Sequence, residues 1–344
     1  MKKQIKVGHL TFGNGRIYIQ SMLNARADDF EGNIAQAKAL WAAGCDIIRV
    51  AVPDMQTVPL IPELKKAVDC PIVADIHFDY RLALASIDAG VDKLRINPGN
   101  IGSADRVRAV ADKAKAHGVP IRIGVNAGSL QKEILAKYGA STPEALAESA
   151  LTHAALLEEC DFSDIVISIK SSDVATMVKT NRIVAAKCEY PLHLGVTEAG
   201  TPGVGTLKSA IGVGALLLDG IGDTIRVSLT GDVLEEVSAA RNILSALGLM
   251  PNTPRLVSCP TCGRTKIDVI SLAKRVEDML ADVHKPITVA VMGCVVNGPG
   301  EARDADIGIA GGDGEAVLFK KGEIVCKLSE SEIFDVLTKE INEF

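Results

Sequence analysis

Aromatic side chains are scarce: seven phenylalanines, four tyrosines and one tryptophan make up 3% of 344 residues. Few platforms remain on which bases could stack, and a formal charge of −6 provides no broad basic surface. Both absences argue against a nucleic-acid-binding module. No apolar run reaches the ~18 residues that a membrane-spanning helix requires. The first residues, MKKQIKVGHLTF, hold no apolar stretch followed by a small-residue cleavage site, so a cytoplasmic protein is expected. Reduced thiols or metal ligands are then the expected state of the eight cysteines, with Cys45, Cys70, Cys160, Cys188 and Cys326 as small packing residues.

What is present points to a metal. Cys259 and Cys262 in CPTCGRT place two thiolates within reach of one centre, and Cys294 in GCVVNGPGE offers a third from a distant glycine-rich turn. A fourth position is left for something other than sulfur. No second C-x-x-C and no H-x-x-x-H follows to complete a closed zinc site. Spacing alone leaves three readings open: an iron–sulfur cluster, zinc, and redox or structural thiols.

With 47% hydrophobic residues the chain can fill one large core and a smaller one, and two domains are expected, 1–250 and 251–344. From residue 17, β-branched runs alternate with stretches rich in Ala, Leu, Lys and Glu, the pattern of βα units around a parallel sheet. Eight such runs begin at Ile17, Cys45, Pro71, Asp92, Pro120, Asp164, Pro191 and Asp223. This α/β pattern predicts a closed (β/α)8 TIM barrel, with a doubly wound open sheet as the alternative. After Gly248 a turn through Pro251 and Pro254 leads to a smaller α+β unit. Its expected elements are a helix over 267–280, a strand ending at Cys294, two short strands around GGDG and a last helix from Ser329.

Successive strand side chains point to opposite faces, so each run has an inner and an outer set. The aliphatic set includes Ile48, Val50, Ile96, Ile123, Val125, Ile167, Leu194 and Val227. The opposite set holds Arg49, Asp75 with His77, Arg95 with Asn97, Arg122 with Asn126, Ser168 with Lys170, His193, and Arg226 with Ser228. Several guanidinium groups on one axis are strongly unfavourable without anions. A small ligand with more than one phosphate resolves this, since arginine's planar fork suits phosphate. The bland alternative pairs these cations with Asp46, Asp75, Asp92 and Asp164. Most of the polar set lies late in its strands, where barrel enzymes keep their active sites, and Lys170 and Glu198 fall at or just beyond strand ends. AGTPGVGT, 199–206, reads equally as a phosphate loop and a plain turn.

Taken in order, IIRVAVP, LRINPGN, IRIGVNAGSL, VISIKSSD, LGVTEAG, CPTCGRT and MGCVVNGPGE closely resemble the bacterial 4-hydroxy-3-methylbut-2-enyl diphosphate synthase family, from about Val7 to Gly314. The resemblance implies a 4Fe-4S cluster on Cys259, Cys262 and Cys294, with Glu301 as fourth ligand, a residue that spacing does not single out. It implies the substrate 2-C-methyl-D-erythritol 2,4-cyclodiphosphate, with Arg49, Arg95, Arg122 and Lys170 on the diphosphate. Asn97, Asn126 and Ser228 would add neutral hydrogen bonds, and Arg226 is a further candidate. Asp75 and Glu198 are candidates for handling protons, and Glu301, a carboxylate more easily displaced than a thiolate, would leave one iron open to a substrate oxygen. Electrons would come singly from flavodoxin or ferredoxin, and the family's shared active site implies a homodimer. A different enzyme class stays open: a barrel transferase or aldolase on a phosphorylated compound with a structural zinc appendage.

Overall fold

The eight β-branched runs form the strands of one parallel sheet. The computed structural model describes residues 2–295 and 303–344. Two short strands come first, β1 (Ile5–Val7) and β2 (Leu10–Phe12), paired as an antiparallel hairpin. The barrel strands follow: β3 (Tyr18–Met22), β4 (Ile47–Ala51), β5 (Ile72–Asp75), β6 (Lys93–Ile96), β7 (Ile121–Asn126), β8 (Ile165–Lys170), β9 (His193–Leu194) and β10 (Thr224–Ile225). Their order is β8-β7-β6-β5-β4-β3-β10-β9. A parallel bridge from Ile167 to Leu192 joins the two ends of that order, so the sheet curls into a barrel and the open-sheet alternative falls.

Helices return the chain between strands and cover the outside, and local chemistry sets their starts. Asp29, Asp79, Thr142, Asp173 and Asp232 each cap a helix by accepting a backbone N–H. Asp46, Asp92 and Asp223, each just before a strand, accept the N–H of Ile19, Ile72 and Leu192, all at 2.8 Å. Asp46 also pairs with Arg16, Asp92 with Lys65, and Asp164 with Lys3. Of the four carboxylates weighed from sequence as partners for the inward cations, only Asp75 pairs with them.

The hairpin β1–β2 does not follow from a strand pattern that starts at residue 17. Its Ile5, Val7, Leu10 and Phe12 pack with Tyr18, Ile47, Val73 and Val166, residues at the first halves of barrel strands. This apolar plug fills the barrel at the end opposite the strands' C-termini.

The second compact unit, Gly248–Phe344, has a five-stranded sheet of order β11-β12-β13-β14-β15. Its strands are β11 (Arg255–Ser258), β12 (Thr288–Met292), β13 (Ile307–Gly311), β14 (Glu315–Lys320) and β15 (Glu323–Ser329), the first three mutually parallel and the last two antiparallel. The glycine-rich stretch after 307 thus forms three strands where two were expected; Lys321 and Gly322, both at positive φ, make the second tight turn. Helices Val269–Leu280 and Ile333–Glu343 bury Leu272, Val276, Leu337 and Ile341 in one core with Val289, Val291 and Ile309.

Candidate active site

Register puts charge at one level across three adjacent strands: Asp75 of β5 pairs with Arg95 of β6, and Arg95 with Arg122 of β7. One step earlier, Val73 lies between Arg49 of β4 and Lys93 of β6. Arg49 Nη2 donates to Asp75 Oδ2 at 2.6 Å, and Arg95 Nη1 to Asp75 Oδ1 at 3.1 Å. His77 Nε2 lies 3.2 Å from Asp75 Oδ2. Burial pushes the Asp75 carboxyl up, but the two guanidinium groups and the His77 contact outweigh it and hold it well below the usual carboxylate range. Asp75 is therefore an anion that organises its neighbours.

One carboxylate does not balance the cations gathered there. Arg122 is 1% exposed, and its Nε and Nη1 have no hydrogen-bond partner; Arg49 Nε is also unpartnered. Burial foremost, then Arg49 and Arg95 close by, push the Arg122 guanidinium down. Lys170 at the end of β8 is depressed likewise, by burial and then by Arg226, Arg122, Arg49 and Arg95. Two glycines make room for this crowd. A Cβ on Gly124 would stand 2.4 Å from Arg95 Nε, and one on Gly195 would stand 2.5 Å from the Arg226 carbonyl and 3.3 Å from Lys170 Nζ.

Arg226 has its own partner. Glu236, buried in helix Val233–Ala246, lies 3.3 Å from Arg226 Nη2, and also accepts Ser21 Oγ at 3.0 Å and the Leu229 N–H at 3.1 Å. Asn97 caps a short turn by accepting the Gly99 N–H at 3.1 Å, which leaves its amide group as the donor end. Asn126 ends β7, and Ser228 is half-buried just beyond β10. Glu198 is exposed on the loop after β9 with φ of +52°, a left-handed conformation that a glutamate seldom adopts and that marks strain beside a site. The stretch 199–206 opens the helix Pro202–Leu218 behind Thr201 as N-cap. His193 is buried against Thr224 Oγ1 at 2.8 Å, and burial holds its imidazole well below the usual range, so it is neutral.

In the second unit the cysteines stand on two loops at the ends of adjacent parallel strands. Cys259 follows β11 and donates its N–H to Val291 at 3.2 Å, while its Sγ accepts the Gly293 N–H at 3.1 Å. Lys266 N–H reaches the Gly293 carbonyl at 2.8 Å and pins the loops together, with Cys294 next in the chain. A Cβ on Gly293 would meet Val269 at 2.8 Å, so this close approach requires glycine. Cys262 is exposed, its N–H donates to Thr265 Oγ1 at 3.1 Å, and the Arg264 backbone, then its side chain, hold the thiol below its ordinary range. By contrast burial pushes the Cys45 and Cys70 thiols up to about 12, as inert packing residues. Glu301 lies outside the described residues. Among those described, no three His, Cys, Asp or Glu side chains converge within coordinating distance. Three thiols on two mutually pinned loops, with an N–H directed at one sulfur, fit an iron–sulfur group in donor type.

A family model described as the GcpE TIM-barrel domain matches residues 2–241, and one described as the GcpE protein C-terminal domain matches residues 255–343. The chain belongs to the GcpE family. Among curated relatives, 4-hydroxy-3-methylbut-2-en-1-yl diphosphate synthase (flavodoxin) of Clostridium perfringens is 57% identical over 338 residues, covering 98% of this chain and 97% of that protein. The protein of the same name from Caldanaerobacter subterraneus is 57% identical over 342 residues, covering 99% and 96%. Among solved structures, dihydropteroate synthase from Stenotrophomonas maltophilia matches with a TM-score of 0.52 at 16% identity, over 72% of this chain and 99% of that one. That likeness shows the barrel fold alone.

Within this GcpE-family barrel, two buried polar residues escape a reading of strand ends. Lys93 follows from the same alternation as Arg95, two residues earlier, but falls at a strand start where barrels keep structural residues. Glu236 sits on a helix whose sequence gives no sign of an arginine partner.

The geometry makes Asp75 the hinge of the cationic cluster. Asp75→Asn leaves Arg49 and Arg95 buried without an anion and should destabilise the barrel by about 3–5 kcal/mol at neutral pH. Because the folded-state value is depressed, this contribution is complete above the unfolded value near ~3.9 and disappears as pH falls through the lower folded one. Denaturant unfolding should therefore show a gap between the two proteins at pH 7 that closes only below about pH 4. A gap that narrows between pH 5 and 7 would contradict an ion-paired Asp75.

Proposed function

We propose that this chain catalyses the two-electron reductive ring opening and dehydration of 2-C-methyl-D-erythritol 2,4-cyclodiphosphate to 4-hydroxy-3-methylbut-2-enyl diphosphate. Flavodoxin or ferredoxin would be the electron donor. The observation that carries this reading is the set of buried guanidinium groups, Arg122 and Arg49 with nitrogens left unpartnered, inside the barrel of a GcpE-family chain. Such a set is complementary to a dianionic cyclic diphosphate.

Arg49, Arg95, Arg122 and Lys170 would grip the two phosphates, with Arg226 set in place by Glu236. Asn97, Asn126 and Ser228 would supply neutral hydrogen bonds that fix the ring's orientation. Because the cations are held by the barrel before the ligand arrives, charge that develops on the departing diphosphate oxygen meets dipoles and charges already in place. Asp75 keeps Arg49 and Arg95 aimed, and at neutral pH it is a proton acceptor only toward a strong acid. Glu198, exposed and conformationally strained, is the better placed of the two for exchanging a proton with solvent. Cys259, Cys262, Cys294 and Glu301 would hold a 4Fe-4S cluster, which when bound supplies single electrons and an iron site whose carboxylate ligand is displaceable. Glu301, as a carboxylate, would be the most readily displaced of the four ligands. A homodimer sharing its active sites and a cytoplasmic location complete the proposal; among the described residues no helix is long and apolar enough to cross a membrane.

The test is anaerobic purification of the full chain, followed by iron and acid-labile sulfide analysis and turnover of the cyclodiphosphate with reduced flavodoxin. Iron, sulfide and the linear diphosphate product are expected together. Zinc alone, or colourless protein without iron after reconstitution, would defeat the redox reading and favour a barrel transferase with a structural metal.

A further inference from the structure

Beneath the cationic cluster the barrel holds a lysine that neither the family resemblance nor the site description employs. Lys93 opens β6 and is completely buried, and its Nζ has no hydrogen-bond partner. Its place is fixed on all sides. Val73 of β5 separates it from Arg49 of β4, and Arg95 stands two residues further along its own strand, roughly 6.6 Å up the barrel. Arg122 stands on the adjacent strand β7 and His193 on β9, both close enough to interact with it electrostatically. Below lies the plug, with the Phe12 ring centroid 4.5 Å from Nζ. Asp75, the nearest strand-borne carboxylate in this interior, is already taken by Arg49, Arg95 and His77. The neighbouring Asp92 pairs with Lys65.

A charged ammonium in that position would have the Phe12 ring face but no hydrogen-bond acceptor, and two guanidinium neighbours. Fully buried, without a hydrogen-bond partner and beside two guanidinium groups, the amine is in a place that disfavours its charge, and burial first, then Arg122 and Arg49, push its titration well below the ordinary lysine range. Binding of a polyanion shifts the balance toward the charged form, because the negative charge offsets the field of the arginines and supplies a counter-charge against the cost of burial. We propose that Lys93 takes up a proton from solvent when a diphosphate ester enters the barrel, and so supplies a cation beneath the ligand that the empty site lacks. The proposal rests on the reading of the barrel as a diphosphate clamp. Proton balance is simple: one solvent proton adds to the amine for each ligand bound and is returned when ligand leaves. By linkage, affinity for the ligand should fall as pH rises, by up to about tenfold per pH unit where this one proton governs it.

The cyclodiphosphate is a clean probe, since each phosphorus carries a single strongly acidic group and the ligand does not itself titrate near neutral pH. Calorimetric binding of the cyclodiphosphate to the anaerobically purified protein, without reductant, is measured at pH 8 in Tris and in HEPES. The dependence of the observed heat on buffer ionisation enthalpy gives the protons taken up. Lys170 also faces the ligand and can contribute to the total, so the decisive quantity is the difference between proteins. Lys93→Met should bind the ligand with about one proton fewer than the natural protein, and its affinity should depend less steeply on pH. Lys93→Gln, non-titrating and polar, gives the same reading should the methionine variant not fold. Equal proton counts in the natural protein and either variant would overturn the role of Lys93 while leaving the clamp intact. No binding by the natural protein would overturn the clamp itself, and this inference with it.

Discussion

Arg122→Met weakens cyclodiphosphate binding by about 10²–10³-fold while leaving iron content unchanged, and at the same time raises the stability of the ligand-free barrel. Both effects follow from one fact. Arg122 is fully buried with two of its nitrogens unpartnered, among Arg49, Arg95, Lys170 and Arg226. In the absence of an anion that arrangement is unfavourable, and replacing such a charge by an apolar side chain of similar length is commonly stabilising by about 1–4 kcal/mol. In the complex the same guanidinium gains a desolvated, charge-assisted contact whose loss is worth about 2–5 kcal/mol. Isothermal titration with the cyclodiphosphate and a thermal scan of the unliganded protein read the two effects separately. Unchanged affinity would remove Arg122 from the site, and a lower melting temperature would mean that its charge is balanced in the resting protein.

The second large effect is expected at Cys262. Cys262→Ser should abolish the visible absorbance and bound iron of anaerobically prepared protein and lower turnover by at least about 10³-fold. The fold gives little reason for any other change. Cys262 is exposed, and its turn is held by backbone groups, the N–H to Thr265 Oγ1 and the carbonyl accepting from Thr265 N–H, which serine leaves in place. Serine's hydroxyl is a harder and far less acidic donor than the thiol, so the isosteric change removes the ligand and little else. The unfolding transition of the barrel unit, followed in parallel, should not move. Full iron content with full turnover in the variant would refute the assignment of this residue.

Much of the barrel was legible because its strands alternate so regularly. IIRVA, KLRI and IRIGVN put Arg49, Lys93 with Arg95, and Arg122 with Asn126 on alternating positions between aliphatic residues, and Asp75, Arg95 and Arg122 do lie at one level across adjacent strands. The pattern does not tell a reader how those charges are balanced. Asp75 is separated from its two arginines by 26 and 20 residues and Glu236 from Arg226 by 10, so the pairings depend on register and on a helix's rotation. The hairpin plug was illegible for another reason. IKV and LTF are three-residue strands that are stable only because the barrel floor buries them, and so short a segment carries almost no periodic signal. In the second unit, β11 is four residues with a mostly half-exposed pattern, and it exists because it pairs with β12. The cysteine motifs were readable from spacing, whereas Glu301 came to attention only through family likeness.

The hairpin at the start of the chain has one further effect on traffic. With Phe12 and its apolar neighbours filling the floor, the described residues leave the strands' C-terminal end as the barrel's way in. Whatever leaves must go out the way its successor comes in, and a departing molecule that retains a diphosphate keeps the grip of the same arginines on its way. Product should therefore compete with substrate for the vacant protein, and its escape should quicken with ionic strength as counterions compete for the exit.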